Sequence, residues 1–398
     1  MSSEVTLSAA TRQNLLSLQD TAALSSTTQN RLSTGKKVSS ALDNPVNFFT
    51  AQSLSNRSSD LGTLLDSISN GVQTIQAANQ GLTSIQKLVD SAKSTANQAL
   101  ATQLNTSGTA GAAFSAAAGT INLQVNGTAV STTLTASDTI DTTIAKLNAV
   151  VGPQGAGNAF SKDTTGTKIV VSASADLEFS TPADQTALGF TSGTANSGPQ
   201  YGTTSTAGQS SNLTVTGVKE RAALAKQYNS LLTQIDQLAK DSSFNGTNLL
   251  SSSATTNKLH ISFNEKDTSN LDVQGVDATS VGLSLTAITG NSGASSNGQG
   301  NFLVDNDVKT TLTSLTNASS TLRSQASTFG SNLSVVQNRQ DFTKNLQNVL
   351  DTGASKLTDA DLNEEAANSQ ALSTRQSLGI SALSLANTAQ QGILQLLR

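Results

Sequence analysis

No cysteine occurs in the chain, which excludes disulfides and thiolate metal sites. Tryptophan is missing too, and aromatic residues fill only 3% of the 398 positions. With 36% hydrophobic residues against many Ser, Thr, Ala, Asn and Gln, thin helical seams and small β modules are expected rather than large cores. Charge is sparse (13%), the net charge is -4, and Lys36–Lys37 is the one basic cluster. A polyanion needs a positive field, so nucleic acid is not an expected partner. No run approaches 18 apolar residues, so no membrane span is expected. The residues after Met1 lack a basic segment followed by an unbroken apolar run, so no cleaved secretory signal is expected. His260 is the single histidine, whereas zinc-protease chemistry needs two from one helix turn plus a base. With no phosphate loop or Ser–His–Asp set either, the expectation is a non-enzyme without cofactor or metal.

What is present is a long heptad. Leu54, Leu61, Ile68, Ile75, Leu82, Val89 and Ala96 recur every seven residues. Leu64, Ala78, Ile85, Ala92 and Ala99 keep register beside them, with Gly71 filling the gap. Such a seam requires a helix packed on other long helices. No proline falls between Asn47 and Asn105, so about 50 residues make a rod of roughly 75 Å. Before it, residues 1 to 32 read as a helix with a stripe of Leu15, Leu18, Ala22, Ser25, Gln29 and Leu32. Ser33-Thr34-Gly35 ends this helix, and Asp43-Asn44-Pro45 restarts the chain.

From Ser107 to Gly217 the composition turns to Gly, Thr, Ser, Ala and Asn. An alternating run ending in Asn126-Gly127 predicts a hairpin. Lys168–Val171 reads as a strand, 138–151 as a short helix, 184–190 as turn and loop, and 191–210 as poorly ordered. A helix is expected from Val218 to Lys240, then a turn at Phe244-Asn245-Gly246. Strand-like runs follow at 249–250, 258–263 and 271–276, and 281–288 alternates apolar and polar. A second rod runs from Val308 to Leu350 through Leu315, Leu322, Phe329, Val336 and Thr343, and the chain restarts after Asp351-Thr352-Gly353. The last helix carries Leu378, Ala382, Leu385, Ala389, Ile393 and Leu396 on one side, and Ile380, Leu383, Leu394 and Leu397 on the other. A helix apolar on two faces needs more than one partner. This divides the chain at 1–44, 45–106, 107–217, 218–302, 303–355 and 356–398.

Several runs resemble bacterial flagellins. At the N-terminal end these are Arg31-Leu32-Ser33-Thr34-Gly35-Lys36-Lys37-Val38, Ala41-Leu42-Asp43-Asn44-Pro45 and Ile68-Ser69-Asn70-Gly71-Val72-Gln73. At the C-terminal end they are Val336-Gln337-Asn338-Arg339-Gln340, residues 359–365 and the closing Gln391–Arg398, and residues 244–250 resemble the family's hairpin start. The resemblance implies a mainly α fold of long antiparallel helices in coiled-coil layers, with a β-hairpin region and a small inserted α+β outer domain. It also implies an extracellular filament subunit that leaves by type III export without a cleaved signal. Its partners would be copies of itself, the export apparatus and an export chaperone, cap and hook-associated proteins, and co-assembling flagellins. A hook–filament junction protein and a secreted adhesin are the rival readings.

The insert departs from the enteric pattern by preceding the β-hairpin. In the segment read by the vertebrate innate flagellin receptor, Lys87, Val89, Asp90 and Ser91 stand where two Arg, a Glu and a Leu are usual. Loss of the second Arg removes a bidentate donor, so a receptor-reporter assay is expected to give a weak or absent signal. Candidates for subunit packing are Leu15, Leu18, Leu32, Leu378, Leu385, Ile393, Leu396 and Leu397 as apolar faces. Gly71 joins them as a point of close approach. Arg31 and Arg339 join them because charge is scarce; Arg57 belongs with these two, and Asp43 and Asp60 are the expected acidic partners.

Overall fold

The computed structural model describes residues 9–193, 210–251, 257–289 and 302–396. The chain divides into two compact units. None of the described helices is long and apolar enough to cross a membrane.

The first unit comprises Met1–Ser69, Ser262–Asn270 and Gln337–Arg398. Helix α1 (Ala9–Thr34) ends at Gly35, whose φ of 69° lets the chain turn. Asn44 then caps α2 (Pro45–Ala101), its side chain accepting from Asn47 N at 3.1 Å with Pro45 at the first helical position. At 57 residues α2 is about 85 Å long, and residues 45–69 belong to this unit. The second rod, α6 (Asp305–Thr358), runs straight through Asp351-Thr352-Gly353, so the break expected there does not exist. A single mid-helix glycine costs only about 1 kcal/mol, and a Cβ on Gly353 would lie 3.4 Å from Leu54 Cδ1, at the interface of the two helices. The real break is Asp359–Asp361. Asp361 Oδ1 accepts from Asn363 N and Glu364 N and so caps α7 (Leu362–Leu396), which packs along α1.

The second unit comprises Asn70–Ile261 and Leu271–Val336. Here the rest of α2, helix α5 (Val218–Asp241) and the start of α6 share a seam. Ile75, Leu82, Val89 and Ala96 of α2 are buried, as are Tyr228 and Ile235 of α5 and Leu315, Leu322, Phe329 and Val336 of α6. The heptad expectation therefore holds. Threonines also enter the seams: Thr74, Thr95 and Thr311, with Thr343 in the first unit, are at most 5% exposed. Each hydroxyl donates to the carbonyl four residues back in its own helix, to Asn70, Ser91, Asp307 and Arg339 respectively. Across the seam Gln86 Nε2 donates to Ser319 Oγ at 2.8 Å.

Between α2 and α5 the insert forms two antiparallel sheets. One has the order β4 (Phe160–Lys162), β5 (Ile169–Ala173), β1 (Asn105–Thr109), β7 (Leu213–Thr216). The other has β3 (Thr128–Leu134), β2 (Gly119–Val125), β6 (Leu177–Phe179). The predicted hairpin is present: Val125 pairs with Thr128 around Asn126 (φ 51°) and Gly127 (φ 81°), both left-handed as a type I′ turn requires. Helix α3 (Ile140–Val151) covers a core that includes Leu123, Leu147, Phe160, Val171 and Phe179. A further helix, α4 (Pro182–Ala187), replaces the turn and loop expected at 184–190. Thr181 and Asp184 form its capping box and Pro182 opens it, a start signal present in the sequence. Of the segment 191–210, residues 194–209 lie outside the described residues.

After α5, β8 (Ser243–Phe244) and β9 (Thr247–Asn248) close over Asn245-Gly246, and β10 (Lys258–Ser262) pairs with β11 (Asn270–Gln274). Residues 249–250 and 281–288 are not strands. Asp236 on α5 accepts from Ser280 N at 2.7 Å and the chain coils back through Leu283 N to Thr279 O, so Leu283, Leu285 and Ile288 are buried from turns.

Gly71 is buried inside this unit. A Cβ there would meet Ile261 Cδ1 at 2.7 Å and Cγ1 at 2.9 Å, so the close approach that excludes a side chain comes from the same chain. Gly71→Ala is expected to lower stability by about 1–2 kcal/mol, overpacking outweighing helix propensity. Ile261→Val in the same chain removes the nearest atom and should recover part of that loss, as read by the denaturation midpoint.

Candidate assembly surfaces

The surface that matters is built on α1 and α7, within the first unit. On α1 the residues turned inward are Thr11, Asn14, Leu18, Thr21, Ser25, Thr28 and Arg31, at steps of three or four. On α7 they are Glu365, Ser369, Leu372, Gln376, Gly379, Leu383 and Ala386, at the same spacing. The facing stripes are thus mostly small or polar, with Leu18, Leu372 and Leu383 as their apolar members. A Cβ on Gly379 would lie 3.1 Å from Leu18 Cδ1, which shows how closely the helices approach. Thr21 satisfies its buried hydroxyl on Ser17 O at 2.7 Å.

Most of the larger apolar side chains point the other way. Leu15, Leu16, Leu24 and Leu32 of α1 are 40–60% exposed, and Leu378, Ile380 and Leu385 of α7 are 54–73% exposed. The stripe expected to hold α1 therefore contributes only Leu18 and Ser25 to its inward face, while Leu15 and Leu32 lie outside it. Heptad spacing reports that a stripe exists, but a polar stripe can face the partner when its hydroxyls bond to their own helix. The side chains of Ile393 and Leu396, and all of Leu397, fall outside the described residues.

The base of this pair is fastened through backbone. Lys36 bridges Asp359, Lys37 N donates to Thr358 O at 2.7 Å, and Ala360 N donates to Gly35 O at 2.9 Å. Arg31 Nη1 lies 3.1 Å from Glu365 Oε1, a carboxylate with only 9% of its side chain exposed. Arg57 pairs with Glu265 at 3.1 Å, and Arg339 stacks 5.7 Å over the Phe263 ring. All three arginines thus have partners within the chain, and the acids expected for them serve elsewhere. Asp43 accepts from the backbone N–H and the hydroxyl of both Ser39 and Ser40. The Ser40 and then Ser39 N–H groups hold its carboxyl below the usual range. Asp60 is simply exposed.

In the second unit, Lys87, Asp90 and Ser91 are exposed on α2, and Gln86 Nε2 donates to Asp90 Oδ1 at 3.1 Å. Val89 is fully buried in the seam, so no side chain is presented at that position. Sequence reasoning missed Arg221. Its side chain is 3% exposed and donates to Thr102 O (2.8 Å), Phe302 O (3.0 Å) and Asp305 Oδ1 (2.8 Å). The available signal was a charged residue on the apolar stripe Val218, Ala222, Ala225, Tyr228.

Two family descriptions match this architecture. Residues 5–130 match the bacterial flagellin N-terminal helical region and residues 312–397 the bacterial flagellin C-terminal helical region, together more than half of the chain. The chain belongs to the bacterial flagellin family. The N-terminal match runs past the end of α2 through the β2 strand of the insert. Among its relatives is flagellin FljM of Caulobacter vibrioides, 33% identical over 176 residues, which are 44% of this chain and 59% of that protein. Flagellin C of Rhizobium meliloti is 44% identical over 77 residues, 19% of this chain and 24% of that protein. The chain thus spans less than two thirds of the length of these relatives.

Proposed function

We propose that the chain is a structural subunit that polymerises into the bacterial flagellar filament and serves swimming motility. The observation that carries this reading is the outward apolar face of α1 and α7. These helices face each other through mostly small or polar side chains while Leu16, Leu24, Leu378 and Leu385 stand more than half exposed. Monomers rarely leave such rows of leucine in water; a row of them marks a binding face. The occupant is a further copy of the same chain, since flagellin-family proteins are filament subunits and sparse charge leaves little self-repulsion. On this reading residues 107–217 are surface decoration, and the protein is extracellular and exported unfolded. The export apparatus and its chaperone, the filament cap and hook-associated proteins, and co-assembling flagellins are its remaining partners. Leu15, Leu32, Leu378, Leu385, Ile393, Leu396 and Leu397 make the contacts between copies. Negative-stain microscopy of purified full-length protein is expected to show long filaments; soluble monomers under polymerising conditions would overturn the reading.

A further inference from the structure

In the insert, Asp176 is 1% exposed and neither of its carboxyl oxygens has a hydrogen-bond partner among the described residues. Its position matters because residues 175–177 join the two sheets. Ala175 O accepts from Thr106 Oγ1 on β1 at 2.8 Å, and Leu177 N donates back to that oxygen at 3.0 Å. Between them, Asp176 N donates to Asn126 Oδ1 (3.0 Å) and Asp176 O accepts from Asn126 N (2.8 Å), in the turn of the β2–β3 hairpin. Asn126 Nδ2 in turn reaches Gln154 O, just beyond α3.

Among the described residues no cation is supplied to this carboxyl. Strands β1, β2, β3, β5 and β7 and the hairpin turn contain no charged residue at all. Glu178 on β6 is the nearest ionisable group along the chain, and it carries the same sign. Lys146 and Asp141 on α3 pair with Asp138 and with Lys162 of β4, and Lys168 Nζ donates to Gly111 O. Beside the insert, Arg221 is committed to its three acceptors. An ionised carboxylate without a partner in such a place is strongly disfavoured.

We propose that Asp176 is a proton-held latch: the joint between the two sheets closes with the carboxyl protonated, and ionisation frees residues 175–177 from Thr106 and Asn126 while the helices stay folded. Burial pushes this carboxyl up to about 7, against about 3.9 in an open segment. An acid raised in the closed state stabilises closure fully below about pH 4 and loses that contribution progressively up to about pH 7, beyond which the profile is level. The insert is therefore a surface module that loosens from acidic to neutral conditions.

Amide hydrogen exchange of the full chain, corrected for intrinsic pH dependence, tests this at residues 105–109, 124–128 and 175–179. Local opening is expected to rise on the order of 10²-fold between pH 5 and pH 8. Asp176→Asn should flatten that profile. A level wild-type profile, or one that survives Asp176→Asn, overturns the latch. Should the Asn variant fail to fold, carboxyl ¹³C titration of the wild type decides: a midpoint near neutral supports the latch, and one near 4 overturns it.

Discussion

A chain truncated before Leu385 is expected to stay monomeric under conditions in which the full-length chain is expected to sediment as polymer. The deletion removes Leu385, 73% exposed in the single chain, together with everything beyond it. Fully covering one exposed leucine stabilises a contact by about 1.5–3 kcal/mol, and each 1.4 kcal/mol is tenfold in affinity. Losing one leucine per subunit should therefore raise the critical concentration about tenfold or more, which Leu385→Ser would reveal. Losing the whole segment should abolish polymerisation at any practical concentration. The insert has a hydrophobic core of its own around Leu123, Phe160 and Val171, so its β-sheet circular dichroism should survive. Sedimentation of the truncated chain as polymer would remove the argument from exposed faces.

Replacing Arg221 by Ala should lower unfolding stability by about 1–3 kcal/mol, the usual cost of leaving a buried acceptor unpaired, since its acidic partner Asp305 is 58% exposed and can turn to water. The guanidinium ties the end of α2 at Thr102, the segment at Phe302 and the first turn of α6 at Asp305. Phe302 is fully buried with φ of 58° and meets the Tyr228 ring edge-on at 5.7 Å, so it cannot turn its carbonyl to water without repacking. Removing the donor leaves the Phe302 carbonyl dry and unpaired. Lysine keeps the charge but cannot span three acceptors, so Arg221→Lys should recover less than half of the loss. Urea denaturation followed by helical ellipticity measures both. A change below 1 kcal/mol in Arg221→Ala would show the clasp to be dispensable.

The long seam of α2 was legible because seven-residue spacing, freedom from proline and fully apolar positions all agree. The hairpin at Asn126-Gly127 was legible for a local reason, two consecutive left-handed residues. What failed depended on partners. The spacing of Leu15, Leu18 and Leu32 locates a stripe, yet the face α1 turns to α7 is set by Thr11, Thr21 and Thr28, whose small size permits close approach. Gly353 looked like punctuation but lies at a helix interface with Leu54. The acids paired with Arg31 and Arg57 are more than 200 positions away in sequence, beyond any local pattern. Arg221 and Asp176 are legible only as misfits, one charged residue on an apolar stripe and one acid in a stretch without cations.

The seam threonines carry one more implication. Thr74, Thr95, Thr311 and Thr343 settle their hydroxyls on their own helices, so they ask nothing of the neighbour across the interface. A helix displaced lengthwise against its neighbour would sever no hydrogen bond at these points. Resistance to such slippage falls to the interlocking shapes of Ile75, Leu82, Leu322 and Phe329. Gln86, donating to Ser319, acts as a dowel between the two surfaces.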